Sequence, residues 1–200
     1  MSRMMNSEVP DMFAVRPDHK GPKTVAILLV LGGIFFAILA YTDLTNHRTE
    51  ELSEEQIETQ INVPNSQGEN LTSEQFQQFH QEVNEQNGYL IRGTSLAVGS
   101  VLVIAGGISL YFMKPLGGKL AVAGAVVSLI GGIFGNMIIF DAAEKHLTES
   151  LVLTYEVTGY LCGVCTFLCG ALALLPLINA RAKLAFEEAN NVELVHDESE

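Results

Sequence analysis

The spacing of charge along this chain constrains it more than any other feature: four stretches of at least 19 residues carry almost no ionisable side chain. Thr24 to Thr42, Gly93 to Met113 and Leu120 to Phe140 have none, and Ser150 to Ala180 has only Glu156. A helix needs roughly 20 apolar residues to cross a hydrocarbon core about 30 Å thick. The pattern therefore predicts an all-α membrane protein, a four-helix transmembrane bundle with spans at 24–42, 93–113, 120–140 and 151–180. Four water-facing segments and one turn remain: a tail at 1–23, a loop at 43–92, a turn at 114–119, a short loop at 141–150 and a tail at 181–200. The overall charged content of 17% understates the apolar spans, because these segments are unusually polar.

Basic residues near span ends are retained in the cytoplasm. Eight of them, Arg3, Arg16, Lys20, Lys23, Lys114, Lys119, Arg181 and Lys183, fall on one side, against Arg48, Arg92 and Lys145 on the other. Both termini are expected in the cytoplasm, with the 43–92 loop outside. The first span is read as an uncleaved anchor, since its charged lead is long and Ala37-Ile-Leu-Ala40 is a poor cleavage site. Ten of the 23 acidic residues lie between Asp43 and Glu85 and account for much of the net charge of −12. Such a surface disfavours nucleic acid and anionic lipid as partners on that face. The acidic stretch 187–200 is expected to be disordered.

Within the outer loop two helix starts are legible. Ser53-Glu-Glu-Gln56 and Thr72-Ser-Glu-Gln75 both have capping-box spacing. The second leads into Phe76, Phe79, Val83 and Leu90 at helical intervals, and Pro64 to Gly68 reads as a turn between the two. The expectation is a helical extracytoplasmic hairpin whose two phenylalanines pack on its first helix or at the membrane surface. Fifty residues hold too little apolar material for an independent core, and no substrate pocket is evident in the loop. Asn70-Leu-Thr72 matches a glycosylation sequon.

Lipid removes the hydrophobic drive between helices, so close contact rests on small side chains. Gly124, Ser128, Gly131 and Gly135 form a stripe along the third span; Gly33 in the first, Gly106 and Gly107 in the second, Gly132 in the third and Gly163 in the fourth extend the set. A Gly-Gly-Ile pattern recurs at Gly32, Gly106 and Gly131. Helix packing within the membrane, or against a second membrane protein, is the expected use.

Polar residues inside the spans are few. Glu156, Asn136, Tyr155, Tyr160 and Ser100 fall in one outer layer by position, a candidate intramembrane polar site, because a carboxylate in a span calls for a reason. Its functional use would be ion or proton passage; its structural use, a neutralised packing cluster. Cys162, Cys165 and Cys169 share one face of the fourth span, where a regular helix holds the first two sulfurs apart. No span supplies another cysteine or a histidine to complete a metal site.

No phosphate-binding glycine loop, His-Glu-x-x-His or nucleophile elbow is present, so no enzymatic activity and no cofactor are expected. Three functions compete: a scaffold or accessory subunit packing through glycine-rich helix faces, a small oligomeric ion or proton channel built on Glu156, and a redox or metal protein using the cysteines. Tetraspan and claudin-like proteins share this topology in outline. Here the loop has no cysteine and the chain no tryptophan, so topology alone carries no kinship.

Overall fold

Charged residues that end a hydropathic run need not end a helix, and here they do not. The computed structural model describes residues 16–197, with side chains through Ala189. Among the described residues the chain is all-helical: α1 Lys20–Arg48, α2 Glu54–Ser66, α3 Ser73–Glu85, α4 Gly88–Tyr111, α5 Leu116–His146, α6 Glu149–Ile178 and α7 Ala180–Asp197. α1, α4, α5 and α6 are each long and apolar enough to cross a bilayer. At 1.5 Å per residue α5 extends about 46 Å, so its end passes well beyond the roughly 30 Å needed to cross.

α4 is the central element, packed between α1 and α5, while α6 lies on α5 and touches α1 less. Small residues set these distances. A Cβ on Gly99 would collide with Ser128 of α5, one on Gly124 with the Gly99 carbonyl, and one on Gly131 with Ser95 of α4. Gly135 lies on the backbone of Arg92, and Gly106 meets Ala121 and the Gly117 carbonyl. On the other side of α4, Gly107 accepts Ala26 and Val30 of α1, and Gly33 receives Ile104. The α5 stripe is thus the surface on which α4 rests, at the close backbone separation that only small residues allow.

The 43–92 segment is a helical hairpin attached to helix ends. Both capping boxes form: Ser53 and Thr72 accept from the backbone N–H of Gln56 and Gln75, whose side chains accept from the backbone N–H of Ser53 and Thr72. α3 does not run on into α4. Asn87 adopts a left-handed conformation (φ 59°), which asparagine tolerates better than most residues, and breaks the path. Phe76, Phe79 and Val83 of α3 are buried with Ile57 and Ile61 of α2, against Tyr89, Ile139, Ala142 and Ala143 from the ends of α4 and α5. The hairpin therefore completes its core with apolar surface borrowed from the long helices.

At the opposite end, Pro176 lies inside α6, which stops at Ile178; Asn179 is extended, and its side chain accepts from the Arg181 backbone as α7 begins. Ala182, Ala185 and Phe186 of α7 are buried against Ala26, Leu29 and Leu110. This corrects the expectation of a disordered segment from 187: helix continues through Asp197, docked through the apolar residues just before it. Residues 198–200 lie outside the described residues. Leu184 stays exposed, whereas Phe186 is buried.

Candidate functional site

Asp43 directly follows the first apolar run in the sequence and Arg92 directly precedes the second, yet both lie within helices, α1 and α4. The extended α1 and α4 bring the two together. Arg92 Nε donates to Asp43 Oδ2 at 2.8 Å and Nη2 donates to Oδ1 at 2.6 Å, a bidentate fork. The Asp43 side chain is 5% exposed and that of Arg92 24%. Arg92 Nη1 also donates to Asn136 Oδ1 at 3.3 Å, and the Asn136 amide lies against Gly159 of α6. One polar chain thereby joins α1, α4 and α5 and ends against α6. Gly93 and Gly135 make room for it by admitting Asp43 and Arg92 against bare backbone.

The five residues expected to form a polar layer do not come together. Asn136 belongs to the Asp43–Arg92 chain. Ser100 is buried and donates to the Ala97 carbonyl of its own helix. Tyr155 stacks on Phe79 with ring centroids 5.2 Å apart, and Tyr160 is 69% exposed. Glu156 is half-buried and has neither a hydrogen bond nor an ion pair among the described residues. The packing residues divide similarly. Gly33, Gly106, Gly107, Gly124, Ser128, Gly131 and Gly135 lie in helix contacts, whereas a Cβ on Gly132 or Gly163 would meet nothing within 4 Å. Gly118 meets Leu177, Gly170 meets Ala125 and Gly159 meets Asn136; this antiparallel register sets Gly132 opposite Gly163.

Polar groups bond the hairpin to the ends of α1 and α5 and bring Glu69 beside the start of α6. Terminal carbonyls of a helix lack intrahelical partners. At the end of α1, Asn84 Nδ2 donates to the carbonyls of Asn46 (3.3 Å) and Thr49 (3.1 Å). His80 Nε2 stands 2.7 Å from the Thr49 carbonyl, which fixes that nitrogen as the donor. Burial pushes the His80 pKa down, opposed by the Thr49 carbonyl, so the ring is neutral. At the end of α5, Glu82 accepts from Lys145 Nζ at 2.7 Å and pairs with His146 Nε2 at 2.6 Å; Lys145 and His146 hold its carboxyl below the usual range. At the start of α6, Glu69 lies beside Thr148 and Ser150, whose hydroxyls lower its pKa. That proximity stops short of a formed hydrogen bond, since neither Glu69 Oε2 nor Thr148 Oγ1 has a partner in bonding geometry. A carboxylate there also suits the positive end of the α6 dipole.

Between hairpin and long helices lies a cavity of about 270 Å³, floored by Phe76, His80 and Tyr89 and rimmed by Gln56, Thr59 and Gln60. This corrects the expectation of no pocket in the 43–92 segment: eight of the nine lining residues belong to it, and Tyr155 of α6 completes the wall, so the cavity forms only once the hairpin is docked. The charge boundaries in the sequence place Asp43 and Arg92 in the loop as well. The available signal was opposite charges bordering two successive apolar runs on the same side. Asn70 is exposed. The three cysteines are free, with Cys169 Sγ 3.0 Å from where a Gly32 Cβ would stand. No three His, Cys, Asp or Glu side chains are grouped to hold a metal among the described residues. Compared with protein-family models, with curated proteins and with solved structures, the chain matches none.

Proposed function

We propose that this chain is a multi-pass integral membrane protein with both termini cytoplasmic and the acidic hairpin outside, serving as a small scaffold or accessory subunit that associates sideways in the bilayer. The four long apolar helices and the eight-to-three division of basic residues support the topology. The observation that carries the scaffold role is the notch at Gly132 and Gly163. The other helical glycines meet a neighbouring side chain or backbone; here two facing glycines leave open space at mid-span, on a helix, α6, of which only 17% of the spanning window is buried. A side chain from a partner helix fits such a notch, and close approach there needs no change in the rest of the fold.

Filling the notch separates assembly from folding. A Cβ added at Gly132 or Gly163 meets nothing within 4 Å, so in Gly163→Ala and Gly132→Ala the thermal midpoint of the purified protein stays within about 2 °C of wild type, in line with a change near 0.5 kcal/mol. The complex recovered after mild detergent extraction, whether a co-purifying membrane protein or a homo-oligomer, is lost in both variants. Undiminished assembly in the filled variants contradicts the proposal. The alternative, an oligomeric ion or proton channel, draws on Glu156, which has no counter-ion among the described residues. It takes precedence if reconstituted protein conducts and Glu156→Gln abolishes the current.

A further inference from the structure

The junction cavity has the chemistry of a binding site. Its floor contains a phenol hydroxyl with no internal use: Tyr89 is 5% exposed, yet its oxygen has no hydrogen-bond partner among the described residues. Tyr155, whose ring also lines the cavity, likewise has a free hydroxyl. Neither oxygen is sealed from the cavity's solvent, so water bonds both until a ligand whose own donors and acceptors reproduce those bonds displaces it.

The other lining groups restrict what that occupant is. None carries a full charge: they are Asn46, Gln56, Thr59, Gln60 and neutral His80, with Leu52 and Phe76 as apolar surface. A charged ligand there would be desolvated without a counter-charge, which is strongly unfavourable. Most of these polar groups retain bonding capacity. Gln56 uses its Oε1 in the capping box, leaving Nε2 to donate. Thr59 donates to the Glu55 carbonyl and keeps its lone pairs. The side-chain amides of Asn46 and Gln60 make no bond among the described residues. Amides and hydroxyls offer both donors and acceptors, as each hydroxyl of a polyol does. The volume lies just under the roughly 300 Å³ at which pockets for drug-sized ligands begin, so the ligand is small.

We infer that the cavity between the α2–α3 hairpin and the ends of α1, α4 and α6 binds an uncharged, hydroxyl-rich small molecule of monosaccharide size. Its hydroxyls meet the phenols and amides, and its C–H face rests on Phe76 and Leu52. Exposed Gln56, Thr59 and Gln60 at the rim provide the entrance from solvent. The inference is independent of which compartment the hairpin faces.

The chain lacks tryptophan, so the emission of its five tyrosines, two of which line the cavity, is read without an indole background. Full-length protein in lipid nanodiscs is titrated with glucose, galactose, N-acetylglucosamine and inositol at low millimolar concentration, with tetramethylammonium and acetate as charged controls. The inference predicts a saturable response to at least one of the four uncharged compounds and none to the ions. Losing one neutral hydrogen bond weakens binding about tenfold, the effect expected for Tyr89→Phe and for Gln60→Ala; Gln60 is exposed, so its variant leaves the fold intact. Tyr41→Phe, at an exposed position remote from the lining residues, leaves affinity unchanged. The inference is overturned by no saturable response to any of the four, by an equal response in Tyr89→Phe and Gln60→Ala, or by saturable binding of either ion.

Discussion

Arg92 and Asp43 illustrate how a charge pair can be expensive singly and cheap together. Each alone, set among apolar helices, carries a desolvation penalty of several kcal/mol, offset when a bidentate fork joins the two. Removing one partner leaves the other buried and uncompensated. Asp43→Ala or Arg92→Ala is therefore expected to destabilise the protein by about 3 kcal/mol, the lower end for a broken buried pair because Arg92 keeps a quarter of its side chain exposed. The double variant Asp43→Leu with Arg92→Met restores most of the loss. Thermal unfolding of the four proteins in one detergent checks this, and a double variant as unstable as the sum of the singles contradicts it. The pair was hidden from the sequence because its members lie 49 positions apart and each looks like the ordinary polar boundary of a span. Glu156 is the sole charge within an apolar run, but a lone charge in sequence and a coupled charge in space are different things. The stripe from Gly124 to Gly135 was legible because helical spacing alone places its members on one face. Gly132 and Gly163 look the same in sequence, and only the α5–α6 register reveals that they face open space.

The hairpin is the element most dependent on titratable groups. Its helix starts were readable from Ser53 and Thr72, since capping is local chemistry. Its docking was not, since Phe76 and Phe79 find partners on α4, α5 and α6 that sequence spacing does not specify. His80, Asn84 and Glu82 of α3 make the polar part of that docking, facing His47 at the end of α1 and Lys145 and His146 at the end of α5. Burial lowers the His80 pKa, so the undocked or unfolded chain takes up a proton more readily than the docked one. Its contribution is whole above the ordinary value of 6.5 and is lost as pH falls below it. Glu82, also lowered, contributes fully above its ordinary 4.5 and loses that contribution only below it. Between pH 7.5 and 5.5 the amide protection of α2 and α3, corrected for intrinsic exchange, is expected to fall, while that of α4 and α5 at mid-helix holds. His80→Gln retains a donor for Thr49 and removes most of the dependence. Protection that rises on acidification in the wild type contradicts this assignment.

At the scale of the whole molecule, two regions hold the long helices in register. At one end the α2–α3 hairpin spans the ends of α1, α5 and α6; at the other, Phe186 and Ala185 of α7 fill the gap between α1 and α4, and Asp18 donates its N–H to the Arg181 carbonyl at 3.1 Å. The glycine-lined contacts of α4 lie between them. Four uncharged runs were enough to read the long helices, because bilayer thickness sets a length that few other folds demand. The exit of α6 was partly legible from Pro176, but the return of α7 was not, because alanines on a short helix give little hydropathic signal. What joins these parts is the proposal that the two capped ends face different aqueous compartments. Single-cysteine labelling tests it most directly. In a background with Cys162, Cys165 and Cys169 replaced by alanine, Gln67→Cys at the hairpin turn and Glu187→Cys on α7 are exposed reporters. A membrane-impermeant maleimide applied to intact cells should label Gln67→Cys at once and Glu187→Cys only after permeabilisation. Labelling of both from the outside, or of neither before lysis, would contradict four crossings with the hairpin external.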